Sequence, residues 1–173
     1  MEQERILVVD DDEGLLHLLR MRLSALGFSV TPCTGGRDAL TAARQETFDI
    51  AITDLRLRAE DGLALTEELM QIQPGLPVII LTAHGSIPNA VEAMQRGAFN
   101  YLLKPLDLKQ LRAVVDNAAR NQHLRRANAE LNRRLDEKFG FEGIIGNSPP
   151  MQELLDRLRR IAPTDATVLI QGE

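Results

Sequence analysis

The sequence contains very little cysteine, because Cys33 is the single one among 173 residues. One cysteine excludes an internal disulfide and fits a reducing cytosol, so we expect a cytoplasmic protein. The chain also lacks an apolar run of about 20 residues, which predicts no membrane-spanning helix. Charged residues follow Met1 directly, so we expect no signal peptide.

Excess positive charge is absent too. The formal net charge is −5, which argues against a chain that binds nucleic acid through its overall electrostatics. A composition of 44% hydrophobic and 26% charged residues is ordinary for a globular protein. The length suffices for one well-buried domain with additional segments.

What the sequence does contain is a short apolar strand that ends in a carboxylate. Residues 48–55 include the β-branched Ile50 and Ile52, and no proline or charge interrupts the segment from Ile50 until Asp54. A single aspartate at a strand end is more often a solvated turn residue. The residues around Asp54 in the fold therefore decide whether it is functional.

Predicted strands and helices alternate five times over about 120 residues, and Ser86 and Gly97 are the expected N-cap and C′ residue of the fourth helix. Apolar strands without strict alternation are typical of strands buried on both faces. Right-handed crossovers then give a parallel, doubly wound α/β sheet. The predicted strands are residues 6–9, 28–31, 48–55, 77–82 and 99–102.

Polar residues follow four of these strands. The carboxyl ends of parallel strands lie at one edge of the sheet, where ligands bind in open α/β folds. Taken singly, a threonine there is an ordinary strand-end hydroxyl and a lysine is a solvated side chain. Together they predict one site, formed by Asp10, Asp11, Asp12, Asp54, Thr82 and Lys104.

These residue types suit phosphoryl transfer. Clustered carboxylates resist ionisation unless a cation lies among them, and oxygen ligands with waters favour Mg²⁺. Asp54 is then the natural nucleophile for a covalent aspartyl-phosphate. Lys104 can pair with one phosphoryl oxygen and the Thr82 hydroxyl can hydrogen-bond another. Mg²⁺ and Lys104 would neutralise charge in the transition state.

Residues 4–121 resemble the receiver domain of two-component response regulators. The resemblance implies a flavodoxin-like (βα)5 receiver, assigned to residues 1–121, and phosphorylation of Asp54 by a cognate sensor histidine kinase. The matching segments, with the correct spacing throughout, are Val8-Val9-Asp10-Asp11-Asp12, Thr53-Asp54-Leu55, Asp61-Gly62, Leu81-Thr82-Ala83, Gly97-Ala98-Phe99-Asn100-Tyr101 and Leu102-Leu103-Lys104-Pro105.

The resemblance also implies a set of metal ligands. Mg²⁺ would be held by Asp11, by Asp54 and by the backbone carbonyl of Arg56, with Asp10 acting through water. Because three aspartates are consecutive, this assignment stays open by one position, and Asp12 is the spare.

Two further positions match the switch residues of the family, Thr82 and Tyr101. Phosphate on Asp54 would draw the Thr82 hydroxyl toward it, and Tyr101 would then rotate inward and alter the surface of residues 86–111. The pair Lys104-Pro105 matches the place where the family has a cis peptide bond, which only X-Pro adopts readily.

One segment departs from the family pattern. The family usually has Met-Pro before its Asp-Gly pair, whereas this chain has Arg58 at the proline position. The loop therefore loses a fixed φ angle. We expect phosphorylation at Asp54 to be retained, whereas the sequence does not predict how rigid this loop is or how it docks to the kinase.

A different class of protein, the aspartyl-phosphate phosphatases and related hydrolases, remains an alternative. Such enzymes typically carry a second acid two residues after the nucleophile, and here that residue is Arg56. This disfavours an enzyme that does more than phosphorylate and dephosphorylate itself. A stand-alone receiver whose tail only dimerises is the other alternative.

The helix that begins near Asp107 continues into a heptad pattern. Asparagine at a positions fixes register in parallel dimers, so the pattern predicts a short, weak parallel coiled coil over residues 122–140. A solvated linker helix is the alternative. The a positions are Val114, Asn121, Asn128 and Leu135, and the d positions are Asn117, Leu124, Leu131 and Lys138.

Residues 141–173 resemble the start of the AAA+ ATPase domain of NtrC-family activators. Those activators act on DNA and on RNA polymerase carrying the nitrogen-type sigma factor. The segment includes a helix with Leu154 and Leu158, a strand over residues 166–170, and Gly172, after which a P-loop would need a lysine and Ser or Thr. The resemblance therefore implies a truncated regulator without the residues for ATP hydrolysis, and we expect a homodimer through the linker helix and the receiver face. Residues 84–88 further resemble the GlrR/QseF branch.

The heptad generates a direct prediction. Replacing both Asn121 and Asn128 by leucine should strengthen association and loosen the choice of register, because buried asparagines trade stability for specificity. Light scattering on the wild type and on this double variant measures both effects. A wild type that stays monomeric at high concentration, phosphorylated or not, would contradict the heptad.

Overall fold

A computed structural model describes residues 3–57, 60–83, 85–139, 148–162, 164 and 167–169. The helices are α1 Glu13–Ala25, α2 Gly36–Gln45, α3 Gly62–Ile72, α4 Ile87–Gln95, α5 Leu108–Phe139 and α6 Pro149–Ile161. The strands are β1 Arg5–Val9, β2 Ser29–Cys33, β3 Ile50–Asp54, β4 Arg56–Leu57, β5 Glu60–Asp61, β6 Val78–Thr82 and β7 Asn100–Leu103.

The main sheet has five parallel strands in the order β2-β1-β3-β6-β7. This order confirms the predicted doubly wound α/β fold. All five residues of β3 and of β6 are buried, as expected for strands covered on both faces. Predicted and observed strand ends differ by at most two residues, and the differences arise because hydrogen-bond pairing, not apolarity alone, decides where a strand ends.

The two faces of the sheet carry separate cores. Ile6 and Val8 of β1 pack with α1 and α5, whereas Leu7 and Val9 pack with α2 and α3. A third group of apolar residues, including Ile80, lies between β6, α3 and α4. Alternate residues of a strand point to opposite faces, so one apolar run supplies both cores.

The helix boundaries follow the expected capping signals. Ser86 accepts a hydrogen bond from the Asn89 N–H at the start of α4, and Gly97 follows the C-terminus of α4 with φ +92°. A small antiparallel hairpin of β4 and β5 follows the central strand, and the sequence did not predict it. Two-residue strands are too short for a periodicity to reveal them.

One prediction about the tail needs correction. The strand expected at residues 166–170 is absent from its described part, Thr167–Leu169, because no strand of the described chain pairs with it. Val114, the first a position of the heptad, is half-buried and packs against the core of the receiver.

Other parts of the tail are as expected or outside the description. The helix with Leu154 and Leu158 is formed as α6. The heptad leucines Leu124 and Leu131 are 66% and 61% exposed. The loop with Arg58, residue His84 of the 84–88 motif, and residues 140–147 and 170–173 lie outside the described residues.

The chain divides into two compact units, Met1–Leu124 and Arg125–Glu173, so the division falls within α5. Among the described helices, none combines the length and apolarity that crossing a bilayer requires.

A single amide side chain joins α2, β3 and α3 at the edge opposite the predicted site. The Gln73 Nε2 atom donates to the carbonyls of Ala43 (2.7 Å) and Glu46 (2.6 Å). Its Oε1 atom accepts from the Phe48 N–H at 2.9 Å. Gln73 thereby satisfies backbone groups on both sides of the α2–β3 connection.

Replacing Gln73 by leucine should lower the free energy of unfolding by about 2 kcal/mol, because three backbone groups lose their partner. Urea denaturation measures this loss. Gln71→Leu is the matched control, since Gln71 is exposed on the same helix. Equal denaturation midpoints for the two variants would contradict this role of Gln73.

Candidate functional site

The register of the sheet brings the polar strand ends together. Val9 pairs with Thr53, so Asp10 and Asp54 follow on neighbouring strands. Thr82 pairs with Leu103, and the next residue, Lys104, donates its backbone N–H to the Thr82 carbonyl at 2.8 Å. The predicted convergence at one sheet edge is therefore observed.

Three carboxylates form a cluster at this edge. One oxygen each of Asp10, Asp11 and Asp54 lies within 4.8 Å of the other two. Asp10 and Asp54 are buried, and Asp11 is half-buried. Hard oxygen donors at this spacing fit a divalent cation such as Mg²⁺, with water completing the coordination.

Lys104 supplies positive charge inside the cluster. Its Nζ atom lies 2.6 Å from Asp10 Oδ2 and 2.5 Å from Asp54 Oδ2. Burial alone would lower the pKa of Lys104, but the hydrogen bonds to Asp10 and Asp54 outweigh burial, and the pKa is raised. The ammonium group therefore stays charged between the two carboxylates.

Asp10 is the most deeply placed acid of the cluster, at 1% exposure. Burial raises its pKa, although the hydrogen bonds from Lys104 and from the Asp12 N–H act in the opposite direction. The Asp10 carboxylate is therefore harder to ionise in the folded chain than in water, in spite of its contact with Lys104.

The geometry separates Asp12 from its two neighbours. The Asp12 carboxylate accepts from the Leu15 N–H at 3.1 Å and forms the N-cap of α1. Its own N–H donates to Asp10 Oδ1 at 3.0 Å. Asp12 therefore orients Asp10 and begins a helix, while Asp10 and Asp11 contribute their carboxylates to the cluster.

The Asp54 carboxylate is held on both oxygens. Oδ1 accepts from the Arg56 N–H at 2.9 Å, and Oδ2 faces Lys104. The Arg56 side chain is exposed, so its backbone is what reaches Asp54. The ligand role expected for the Arg56 carbonyl stays a prediction.

Gly62 is a site residue whose physical role the sequence did not reveal. Its N–H donates to the Leu55 carbonyl at 2.9 Å. A Cβ atom on Gly62 would lie 2.0 Å from the Asp54 carbonyl oxygen, closer than any side chain tolerates. Glycine is therefore required for α3 to begin directly against the backbone of Asp54. The Asp61-Gly62 pair was the available signal, but only the tertiary approach explains it.

The two predicted switch residues are neighbours in the fold. Thr82 is 1% exposed, and the Tyr101 hydroxyl is buried without a hydrogen-bond partner among the described residues. Burial raises the pKa of Tyr101, and the nearby Thr82 hydroxyl and Ser86 backbone lower it. The inward rotation of Tyr101 expected on phosphorylation stays a prediction.

The Lys104-Pro105 peptide bond is cis, as the resemblance implied. It lies directly after the lysine that pairs with Asp10 and Asp54. Every sequence-predicted strand-end residue therefore reaches this edge of the sheet, with Asp12 turned to helix capping.

Comparison with known proteins agrees with this geometry. The family model described as "Response regulator receiver domain" matches residues 6–116. The chain belongs to the response regulator receiver family. Over 168 residues it is 44% identical to the transcriptional regulatory protein GlrR of Escherichia coli and 40% identical to ZraR of Salmonella typhimurium. These alignments cover 97% of this chain and 36% and 37% of the two relatives.

A solved structure extends the similarity beyond the receiver. NtrX from Brucella abortus matches with a TM-score of 0.71 and 32% identity, over 94% of this chain and 35% of that one. The receiver of this chain is thus similar to the corresponding part of transcriptional regulators such as GlrR, ZraR and NtrC. This chain spans about a third of the length of the curated relatives it matches.

The buried acid of the receiver generates a stability prediction. Because the folded-state pKa of Asp10 is raised above 3.8, its contribution to stability falls as pH rises from that value through the raised pKa. Asp10→Asn removes the charge and keeps an acceptor for the Asp12 N–H. We expect a Tm higher by a few degrees at neutral pH in the presence of a chelator, with the gain shrinking toward pH 4.

Asp12→Asn is the matched control, because asparagine caps helices as well as aspartate does and position 12 is exposed. Thermal unfolding followed by circular dichroism measures both variants. An Asp10→Asn protein less stable than wild type at neutral pH would contradict the cost assigned to the buried charge.

Proposed function

We propose that Asp54 is the phosphoacceptor of this receiver and that a sensor histidine kinase supplies the phosphoryl group. The observation that supports this is the position of Asp54, with one carboxylate oxygen held by a backbone N–H and the other facing Lys104. A carboxylate held at both oxygens keeps a fixed orientation, as a positioned nucleophile requires.

The transfer would proceed by attack of an Asp54 carboxylate oxygen on phosphorus. The new bond is the P–O bond of the acyl phosphate, and the P–N bond to the kinase histidine breaks, leaving its electron pair on the imidazole. Lys104, which already contacts Asp54, would then pair with a negatively charged phosphoryl oxygen. The Thr82 hydroxyl, at the end of the neighbouring strand, would bind another.

We assign the metal to the same cluster. Asp11 and Asp54 would hold Mg²⁺ directly together with the backbone carbonyl of Arg56, and Asp10 would act through water. The convergence of the three carboxylates supports this assignment. Bound there, Mg²⁺ would supply charge neutralisation for the transferred group.

Thr82 and Tyr101 would report the phosphorylated state. A phosphoryl group on Asp54 would recruit the Thr82 hydroxyl, and the buried Tyr101 hydroxyl beside it would respond. The surface of residues 86–111 would change with them and would serve as a face for a second receiver. The exposed apolar side chains of Ile87, Val91 and Met94 on α4 support this role.

In the longer protein we infer phosphorylation-controlled transcription activation. The relatives support it, since GlrR is a transcriptional regulatory protein and NtrC of Klebsiella pneumoniae is a DNA-binding transcriptional regulator. We divide the chain into a receiver at residues 1–121, a dimerising linker at 122–140 and the start of an AAA+ domain at 141–173. RNA polymerase with the nitrogen-type sigma factor would be the target.

The chain itself would act as a signalling module and not as an enzyme with an external substrate. A basic side chain, Arg56, occupies the position where an aspartyl-phosphate phosphatase carries its second acid. We propose a cytoplasmic location. The proposed kinase partner supports this location, and so does the presence of a single cysteine.

The test is phosphorylation by a small phosphodonor with Mg²⁺. Asp54→Asn should abolish the mass increase of one phosphoryl group, because the amide is no longer a nucleophile. Asp12→Asn is the control, since it alters a neighbouring carboxylate that caps a helix and lies outside the cluster, and it should be phosphorylated like the wild type. Intact-mass spectrometry reads both. Phosphorylation of Asp54→Asn at the wild-type level would refute the assignment.

A further inference from the structure

One contact of the receiver lies far from the acidic cluster. The His123 Nε2 atom of α5 lies 2.8 Å from Oε1 of Glu4, the residue before β1. This distance suits an imidazole N–H that donates to a carboxylate, in the charged ring or in the neutral Nε2–H tautomer. The strand β1 begins at this contact and ends at Asp10, so the contact and the cluster occupy opposite ends of one strand.

Glu4 is a fixed anchor. The Ser29 N–H donates to the Glu4 carbonyl at 2.8 Å. The next residue, Arg5, donates its N–H to Asp49 Oδ2 at 2.7 Å and accepts from the Asp49 N–H at 2.8 Å. The Glu4 side chain is only 25% exposed. A surface ion pair is usually weak because two mobile side chains must be ordered, whereas here the backbone of Glu4 is held in place and its side chain is mostly buried.

The contact lies one helical turn beyond the packed part of α5. The last buried positions of α5 in this unit are Ala118 and Ala119, at 0% and 7% exposure. Leu124, the residue after His123, is 66% exposed, and the compact unit ends there. Between Ala119 and Leu124, apolar burial therefore no longer holds the helix to the sheet.

We propose that Glu4 and His123 form a clasp that extends the attachment of α5 by one turn and fixes the point at which the helix leaves the receiver. Leu124, the first exposed leucine of the heptad, follows directly. In the proposed dimer the clasp would therefore hold the turn of helix from which Leu124 contacts a second chain. This consequence rests on the proposed dimer, whereas the clasp itself does not.

Amide hydrogen exchange of the full chain tests the clasp. Glu4→Ala leaves the sequence of α5 untouched, yet exchange over residues 120–124 should become about two- to fivefold faster, the range expected for a partly exposed pair. His123→Ala should accelerate the same amides although alanine raises helix propensity. If position 123 affected only helix propensity, the alanine variant would slow exchange of these amides instead of accelerating it. The double variant should exceed neither single variant, because both remove one contact.

Arg112→Ala is the matched control. It breaks an exposed pair within α5, Arg112 with Asp116 at 3.7 Å, and does not touch β1. Exchange over residues 120–124 should then stay as in the wild type. Unchanged exchange in Glu4→Ala, additive effects in the double variant, or an equal acceleration in Arg112→Ala would each overturn the clasp.

Light scattering on the same samples separates the two proposals. If the protein is monomeric and Glu4→Ala still accelerates exchange, the clasp stands and the proposed dimer fails. If the protein is dimeric and exchange is insensitive to Glu4, the dimer stands and the clasp is refuted.

Discussion

The interaction on which the site depends is the ion pairing of Lys104 with two buried carboxylates. Its Nζ atom lies 2.6 Å from Asp10 and 2.5 Å from Asp54. Burying one uncompensated carboxylate is costly, and here three carboxylates share one edge. Lys104 brings one positive charge to these three carboxylates, and burial raises the pKa of Asp10 above its ordinary value. The arrangement therefore favours additional positive charge at this edge of the sheet.

Rigid backbone makes this imbalance sustainable. The strands β3 and β6 are buried along their whole length. On the far side of Asp54, α3 begins so close to the strand that only a glycine fits at position 62. The Arg56 N–H then fixes one oxygen of Asp54. Like charges can be held close together only where the surrounding backbone has no room to relax, and this edge of the sheet meets that condition.

The position of Tyr101 bears on how a signal would leave the site. Its hydroxyl is buried near Thr82, at the end of the strand that pairs with the strand of Asp54. Tyr101 also packs against the apolar group that includes Ile80 and Ala93 of α4. The packing that connects this edge of the sheet with α4 therefore includes Tyr101.

The sequence by itself determined the fold class and the members of the site. Apolar strands such as Val78–Thr82 and helical spacing predict a parallel sheet, and parallel strands must deliver Asp10, Asp54 and Lys104 to one edge.

Tertiary structure alone decided the rest. In the fold Asp12 caps a helix, whereas Asp11 lies in the acidic cluster. The sequence could not distinguish these consecutive aspartates, because their directions depend on how the backbone turns after β1. The strand predicted near Val168 did not form, since a strand requires a neighbouring strand to pair with its backbone groups. The need for glycine at position 62 and the contact between Glu4 and His123 depend on distances between segments that are remote in sequence. No local pattern encodes such distances.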